Sequence, residues 1–186
     1  MLVTLLFECS FAQLTKNNWL IGGSVAYTRY DSKGDDAIVN KGSLFDANAN
    51  SGYFLTDKLA CGIRANAYFA KSKHPQIDGT KNVHLTSNIG LGPFVRYYYL
   101  PVANRVNLFS DASLLYSLHT DKSTGRRKQA SDSWFSSLGV GTVVFLNTSL
   151  GLEFLLAYNH YDEIDVDYKT NQLQFRIGLQ FHLERD

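Results

Sequence analysis

Apolar and polar residues alternate one by one over eight stretches of this chain. In the last stretch, 173–183, the residues are Leu-Gln-Phe-Arg-Ile-Gly-Leu-Gln-Phe-His-Leu, so every odd position is apolar and every even position is polar, charged or glycine. A period of two places successive side chains on opposite faces of an extended strand. The stretch also has the length of roughly 9–11 residues that a tilted strand needs to cross a bilayer. It therefore predicts a strand with one apolar and one polar face.

Seven earlier stretches repeat this two-faced pattern: 19–28, 45–53, 59–69, 85–99, 106–117, 134–146 and 150–159. Short connections at 56–58, 100–105 and 147–149 alternate with long, charged ones at 31–41, 71–82, 121–131 and 162–170. Short turns at one rim and long loops at the other are typical of transmembrane barrels. No apolar run reaches the roughly 18 residues of a membrane helix. The pattern predicts an all-β fold, an eight-stranded antiparallel up-and-down transmembrane β-barrel.

Aromatic residues collect near both ends of the predicted strands. Bilayer-spanning barrels carry such girdles at the two membrane interfaces. The residues towards the short-turn rim are Trp19, Tyr53, Tyr97, Tyr99 and Phe181, and those towards the long-loop rim are Tyr27, Phe69, Tyr116, Trp134 and Tyr158.

The polar face of the strands is composed mainly of glycine, asparagine and serine, while the lysines lie almost entirely in the connections. A sheet face in water normally carries many long charged side chains, whereas small residues suit the interior of a narrow barrel. We therefore interpret the apolar face as lipid-facing and the polar face as the lumen lining. The alternative is a soluble lipocalin-like barrel, in which the Leu, Ile and Phe side chains would point inward around a lipid.

Six charged residues within the strands share the polar parity: Asp46, Arg64, Arg96, Asp111, Glu153 and Arg176. An arginine on the lipid face would cost about 2–4 kcal/mol at mid-depth. Buried charges need partners that offset their desolvation, so we expect a neutral charge network in the lumen. Arg96 and Asp111 flank one short turn and are expected to be diagonal neighbours. The sequence leaves the pairing of the other four open.

The first residues, 1–12, have an apolar core followed by Ser10-Phe11-Ala12, the small-residue pattern that a signal peptidase recognises. We interpret this segment as the remnant of a signal peptide cleaved before Gln13, with an ordinary buried first strand as the alternative. Residues 13–186 then form a single barrel domain. Cys9 would leave with the signal, and Cys61 alone forms no intramolecular disulfide.

Residues 13–183 resemble the small eight-stranded outer-membrane β-barrels of Gram-negative bacteria, the OmpA/OmpX-like, porin-type family. The resemblance rests on the phrases Asn-Trp-Leu-Ile-Gly-Gly-Ser, Gly-Tyr-Phe-Leu-Thr-Asp-Lys-Leu-Ala-Cys-Gly and Gly-Pro-Phe-Val-Arg-Tyr-Tyr-Tyr. The end of the chain resembles the family's assembly signal, here Arg176, Gly178, Phe181 and Leu183, although Glu184-Arg185-Asp186 follows where such barrels often stop on an aromatic residue.

The resemblance implies a cell outer membrane location with both termini in the periplasm and the long loops outside. It also implies contact with outer-membrane lipid and lipopolysaccharide and with the barrel-assembly machinery. We expect a monomer without a cofactor. The 18 Lys and Arg against 17 Asp and Glu leave no net field that would favour nucleic acid as a partner.

The first functional hypothesis is a non-enzymatic structural or narrow porin-like barrel with a charge-filled lumen and surface-exposed binding loops. The alternative is an outer-leaflet lipid-modifying enzyme, which needs a nucleophile beside an oriented base. The rim offers three pairs for this role: His84 with Thr86, His119 with Ser117, and His160 with Tyr161. We expect no catalytic residue, because histidines and serines at strand ends are usually only wetted rim residues.

Two loops offer a third hypothesis, binding outside the barrel. Arg126, Arg127 and Lys128, together with Lys122, form a basic loop suited to lipid phosphates or an acidic surface. Glu163, Asp165 and Asp167 alternate and would aim three carboxylates one way in an extended chain, which makes them weak candidates for a divalent-cation site. A plain solvated loop is the simpler interpretation of both, and we expect no metal.

Overall fold

The chain is a closed eight-stranded antiparallel β-barrel in the computed structural model, which describes residues 14–33, 39–75, 81–124, 129–164 and 169–184. The strands are β1 Trp19–Lys33, β2 Val39–Thr56, β3 Leu59–Pro75, β4 Lys81–Tyr98, β5 Val106–Ser123, β6 Gln129–Phe145, β7 Leu150–Glu163 and β8 Lys169–Leu183. Each strand pairs with the next along the chain, and β8 returns to β1. This confirms the predicted fold class. None of the described residues forms a helix long and apolar enough to cross a membrane.

The strands run for 14 to 18 residues, well beyond the roughly 9–11 that a bilayer requires. They therefore continue through most of the stretches predicted as long loops, and connections 34–38, 76–80, 124–128 and 164–168 remain between them. The predicted loop lengths were wrong because an antiparallel ladder stays hydrogen-bonded beyond the apolar belt, where its side chains become charged. The prediction that lysines avoid the strands was wrong for the same reason, since Lys41, Lys71 and Lys122 lie within them.

The apolar face of the strands points outward. Val25 is 73% exposed, Leu138 66% and Leu173 68%, and all ten residues of the predicted aromatic girdles lie on this face. Neighbouring girdle rings contact one another, as in Trp19 with Tyr53, whose ring centroids are 5.2 Å apart. Because the Leu, Ile and Phe parity faces out, the lipocalin-like alternative is wrong.

The lumen contains an apolar plug that was not predicted from the sequence. Most of it lies at the short-turn end, and Phe94, Leu155 and Ala157 extend it towards the long loops. Its members are buried side chains from seven strands and from the segment before β1: Leu14, Leu20, Phe54, Ala60, Phe94, Tyr98, Phe109, Val143, Phe145, Leu155 and Ala157. The imidazole of His182 lies among these rings, with its centroid 5.1 Å from that of Phe145 and 5.9 Å from that of Phe54. Several of these residues occupy the polar parity that was interpreted as small and hydrophilic, so that interpretation was wrong for this half of the lumen.

Residues 14–18 cover the short-turn end of the barrel. The backbone N–H of Lys58 donates to the carbonyl of Leu14 at 2.8 Å, and the N–H of Phe54 donates to the carbonyl of Asn18 at 2.9 Å. Leu14, a member of the plug, is fully buried. The predicted signal segment, 1–12, and Gln13 lie outside the described residues.

Candidate functional site

A chain of four charged side chains crosses the lumen and packs against the apolar plug. Arg64 on β3 makes a bidentate pair with Asp111 on β5, at 2.6 and 2.9 Å. Asp111 also accepts from Nε of Arg96 on β4 at 2.9 Å, and the other side of the Arg96 guanidinium donates to both oxygens of Glu153 on β7. Two cations and two anions thus form a neutral, fully connected network, which we call the charge layer.

The charge layer is buried and packs against aromatic rings. Arg96 is 1% exposed, Arg64 and Asp111 are each 4% exposed, and Glu153 is 7% exposed. The guanidinium carbon of Arg96 lies 4.2 Å from the ring centre of Phe109, and that of Arg64 lies 4.9 Å from the ring centre of Phe94. Such cation–π contacts are strongest when desolvated. The layer and the plug therefore pack against each other as one block, and a cavity of about 20 Å³ remains beside it, towards β1, β2 and β8.

The register of β4 and β5 corrects one expectation. Arg96 and Asp111 are direct cross-strand partners and not the diagonal neighbours predicted from the sequence. The turn between them, 99–105, places these two residues opposite each other because Tyr98 pairs with Phe109.

The other two predicted lumen charges, Asp46 and Arg176, stand apart from the charge layer. Asp46 accepts a hydrogen bond from the Asn48 amide at 2.8 Å, and Nε of Arg176 donates to the Gln174 amide oxygen at 2.9 Å. Among the described residues, neither enters an ion pair within 4.0 Å. Four of the six predicted charges are thus brought together, and two are not.

Asp46 and Arg176 line a cavity of about 670 Å³ in the long-loop half of the lumen, which we call the vestibule. Besides the apolar Leu44, its other lining residues carry polar groups: Asn48, Asn66, Tyr68, Asn88, His119, Asp121, Ser133, Tyr161, Thr170, Gln172 and Gln174. This volume falls in the range of small-molecule sites. The vestibule has the charge layer below it.

A hydrogen-bonded cluster of histidines and a carboxylate lies at the rim of the vestibule, on β4 and β5. Asp121 accepts from the Thr86 hydroxyl at 2.6 Å and lies 2.9 Å from Nε2 of His119 and 3.3 Å from Nε2 of His84. Nδ1 of His84 is 2.6 Å from the Ser123 hydroxyl. Ser123, His84 and Asp121 are therefore connected in the order of a hydrolytic triad.

Asp121 lies in the extension of β5 beyond the aromatic girdle residue Tyr116, outside the bilayer span. Partial burial raises the pKa of its carboxyl, but the hydrogen bonds from Thr86 and His119 and the two nearby imidazoles outweigh this effect. The pKa of Asp121 is therefore below its ordinary value, and the carboxylate is held in its ionised, accepting form.

The three predicted nucleophile–base pairs do not form as proposed. His84 and Thr86 both contact Asp121, and His119 bonds Asp121 rather than Ser117. His160 and Tyr161 are consecutive strand residues and point to opposite faces. Tyr161 lines the vestibule, while Nδ1 of His160 is 2.7 Å from the Asn171 side chain.

The assembly-signal residues lie along β8, with Arg176 and Gly178 on the lumen face and the exposed Phe181 and Leu183 on the outer face. Here β8 pairs with β1, and Phe181 and Leu183 lie opposite Ile21 and Trp19. The candidate loop residues Arg126, Arg127, Lys128, Asp165 and Asp167 lie outside the described residues. Glu163 ends β7, and its side chain is likewise not described.

The apolar plug and the contact of Ser123 with His84 were not predicted from the sequence. The plug had a signal in the sequence, since Phe94, Phe109 and Leu155 stand two residues from Arg96, Asp111 and Glu153 and so share their face. The partnership of Ser123 with His84 had none, because it depends on the register of two strands that are joined by a turn far away. Within the described ranges, no group of three or more His, Cys, Asp or Glu side chains is placed to hold a metal ion.

Two solved structures have a similar fold. The crystal structure of Neisserial surface protein A aligns with a TM-score of 0.54 at 13% identity, covering 88% of this chain and 96% of that one. The crystal structure of the outer membrane protein OprG from Pseudomonas aeruginosa aligns with a TM-score of 0.54 at 14% identity, covering 94% of this chain and all of that one. At such identities the likeness shows the fold alone. No curated protein sequence matches the chain closely enough to count as a relative.

The model of one protein family covers nearly the whole chain. It is described as the outer membrane protein beta-barrel domain and matches residues 1–181. The match agrees with the closed eight-stranded barrel and with the apolar outer surface. The chain therefore belongs to the outer membrane protein β-barrel domain family.

Proposed function

We propose that this outer-membrane protein is a non-enzymatic structural barrel whose lumen is closed to ions and solutes. The observation that supports this is the block formed by the charge layer and the apolar plug. A narrow eight-stranded lumen is normally filled by side chains. The vestibule and the connections at the long-loop end then form a binding surface towards the outside, while the short-turn end is sealed.

Conductance across a planar bilayer tests this proposal. We expect no current steps from the wild-type barrel. The variant Arg96→Ser/Glu153→Ser/Phe109→Ala shortens side chains at the centre of the charge layer and of the plug. It removes both members of one charge pair and leaves Arg64 paired with Asp111, so the barrel should still fold. We expect this variant to conduct. Its fold is checked by the difference in gel mobility between unheated and boiled samples. Steady wild-type steps of the size given by the variant would show that the block is not a seal.

The proposed orientation places the short-turn end and both termini in the periplasm. Single cysteines at Thr124 and Thr148 lie near the two opposite ends of the barrel. In chains that lack Cys9 and Cys61, a membrane-impermeant maleimide added to intact cells is expected to label Thr124→Cys and not Thr148→Cys. The reverse labelling pattern would invert the orientation.

The end of β8 is proposed to be read by the barrel-assembly machinery. Phe181 and Leu183 lie on the outer face, beside the strand that closes the barrel. Phe181→Ala/Leu183→Ala should lower the amount of barrel in the outer membrane. Phe175→Ala, also on the outer face of β8, is the matched control. Equal levels for both variants would argue against such a signal.

A second candidate function is hydrolysis at the rim, which the Ser123–His84–Asp121 cluster supports. Ser123 Oγ would attack an ester carbonyl as His84 takes its proton, the alcohol would leave with that proton, and water would then release the acid. Asp121 of the cluster lines the vestibule inside the barrel, so a small soluble ester fits this position better than a bilayer lipid. Hydrolysis of a short-chain nitrophenyl ester that is lost in Ser123→Ala and retained in Ser133→Ala would support it, and no hydrolysis by the wild type would eliminate it.

A further inference from the structure

A groove of about 570 Å³ runs over the outside of the barrel at the long-loop end of β1–β5. Its lower wall is aromatic, with Tyr27, Phe45 and Phe69. Lys71 and Lys122 line its upper edge, with Leu85 between them. The groove therefore combines a surface for hydrocarbon with a cationic edge.

The strand register explains this arrangement. One cross-strand row joins Tyr27, Phe45, Phe69, Ser87 and Thr120, and it contains two residues of the upper aromatic girdle. The row two residues further along the strands, away from the membrane, carries the groove's two cations. It joins Arg29, Ser43, Lys71, Leu85 and Lys122. Girdle aromatics lie at the level of lipid head groups, so the two lysines lie on the long-loop side of that level, and their long side chains can extend back towards head-group phosphates.

The charges of the groove are unbalanced. None of its described lining residues is acidic, and neither Lys71 nor Lys122 enters an ion pair within the described part of the chain. The nearest carboxylate in sequence, Asp121, points to the opposite face and is held by Thr86 and the two histidines. Both lysines are exposed on β3 and β5, on either side of Leu85. The hydroxyl residues Ser87 and Thr120 lie in the row below, so two cations and two hydroxyl groups are available to a phosphate group.

A second external groove has no lysine among its described lining residues and serves as a comparison for the first. It has a volume of about 480 Å³, and its lining includes Val95, Tyr97, Ala112, Leu138 and Leu156. No lysine or arginine lines it among the described residues, so it has no cationic edge. The cationic edge therefore distinguishes the first groove from ordinary lipid-facing surface.

We propose that the groove on β1–β5 is a binding site for a phosphorylated lipid of the outer leaflet, with Lys71 and Lys122 on the phosphate and Phe45 and Phe69 on the first acyl carbons. The phosphorylated glycolipid anchor of lipopolysaccharide has this chemistry. The assignment to the outer leaflet rests on the proposed orientation of the barrel. Binding itself does not, and it is measured below on purified protein.

Native mass spectrometry of the full chain folded in non-ionic detergent tests the site, with bisphosphorylated lipid A as the probe. We expect the wild-type barrel to retain lipid A and Lys71→Gln/Lys122→Gln to bind it about 30-fold more weakly, since each cation near a phosphate surface contributes a factor of about five. Lipid A without phosphates should bind the wild type as weakly as lipid A binds this variant. Excess inorganic phosphate should not displace lipid A, because it lacks the apolar contact.

Lys169→Gln is the matched control, because Lys169 is an exposed lysine at the same end of the barrel but on β8, 4.0 Å from Asp162. It should leave lipid A binding unchanged. The gel-mobility shift on heating confirms that each variant is folded. Equal weakening by Lys169→Gln would mean that only the overall charge matters, and equal binding by Lys71→Gln/Lys122→Gln would overturn the site. Displacement by inorganic phosphate would identify a simple anion site instead.

Discussion

The two halves of the lumen are built from the same eight strands and are filled in opposite ways. In the short-turn half, apolar side chains such as Tyr98, Phe109 and Phe145 fill the space below Arg96. In the long-loop half, mainly amide and hydroxyl side chains enclose a vestibule of about 670 Å³. The difference shows that alternation selects the face of each residue, whereas the size of the inward residues and their mutual reach decide whether the space is closed.

The charge layer is the boundary between the two halves, and removing its central cation should have the largest effect. Arg96→Ala leaves Asp111 with one partner and Glu153 without its guanidinium contact, all out of water. Breaking a buried pair in this way costs about 3–5 kcal/mol. Urea unfolding of the detergent-folded barrel, followed by gel mobility, measures the loss.

Asp46→Asn is the control for Arg96→Ala, because Asp46 lies in the vestibule and belongs to no ion pair of the described residues. We expect it to cost less than about 1 kcal/mol. If the two variants were equally stable, the charge layer would contribute no more than an ordinary wetted charge.

Two glycines on the lumen face allow a smaller test of the same contrast. A Cβ atom on Gly62 would lie 2.1 Å from the Ser51 carbonyl oxygen and 2.4 Å from the Gly52 Cα, both backbone atoms. A Cβ on Gly90 would meet the side-chain ends of Asn66 and Ser117. Gly62→Ala must move the backbone and should cost about 1–3 kcal/mol.

Gly90→Ala should cost clearly less than Gly62→Ala, because Asn66 lines the vestibule and its amide has room to turn away. The same urea titration compares the two alanines directly. An equal cost for both would mean that the vestibule walls are packed as rigidly as the ladder around Gly62.

The smallest effect is expected from titration at the vestibule rim. Since the pKa of Asp121 is below its ordinary value in the folded protein, its contribution to stability is present above the unfolded pKa and is lost as the pH falls through the folded pKa. Carboxyl NMR of Asp121 should show this low midpoint. Thr86→Val removes one hydrogen bond and should raise the midpoint. An unchanged midpoint would mean that the imidazoles alone hold the carboxylate.

The sequence by itself determined the architecture and the two faces of each strand. A period of two over eight stretches, with the six charges predicted for the lumen on a single parity, leaves one arrangement in which these arginines avoid lipid and apolar residues meet it. For that reason the outward Leu138 and Leu173 and the lumen side of Arg64, Arg96 and Glu153 could be predicted.

Only the tertiary structure decided which charged residues pair with one another and which side chains fill the lumen. Arg64 reaches Asp111 across β4, and Arg96 reaches Glu153 across the lumen, because barrel closure brings non-adjacent strands within side-chain reach. The plug, the vestibule and the groove depend on the strand register and on the radius of the barrel. The register, for example, places Lys71 and Lys122 on either side of Leu85. A pattern along one chain specifies face and order. Distances across a closed sheet depend on strand stagger and tilt, which no local pattern contains.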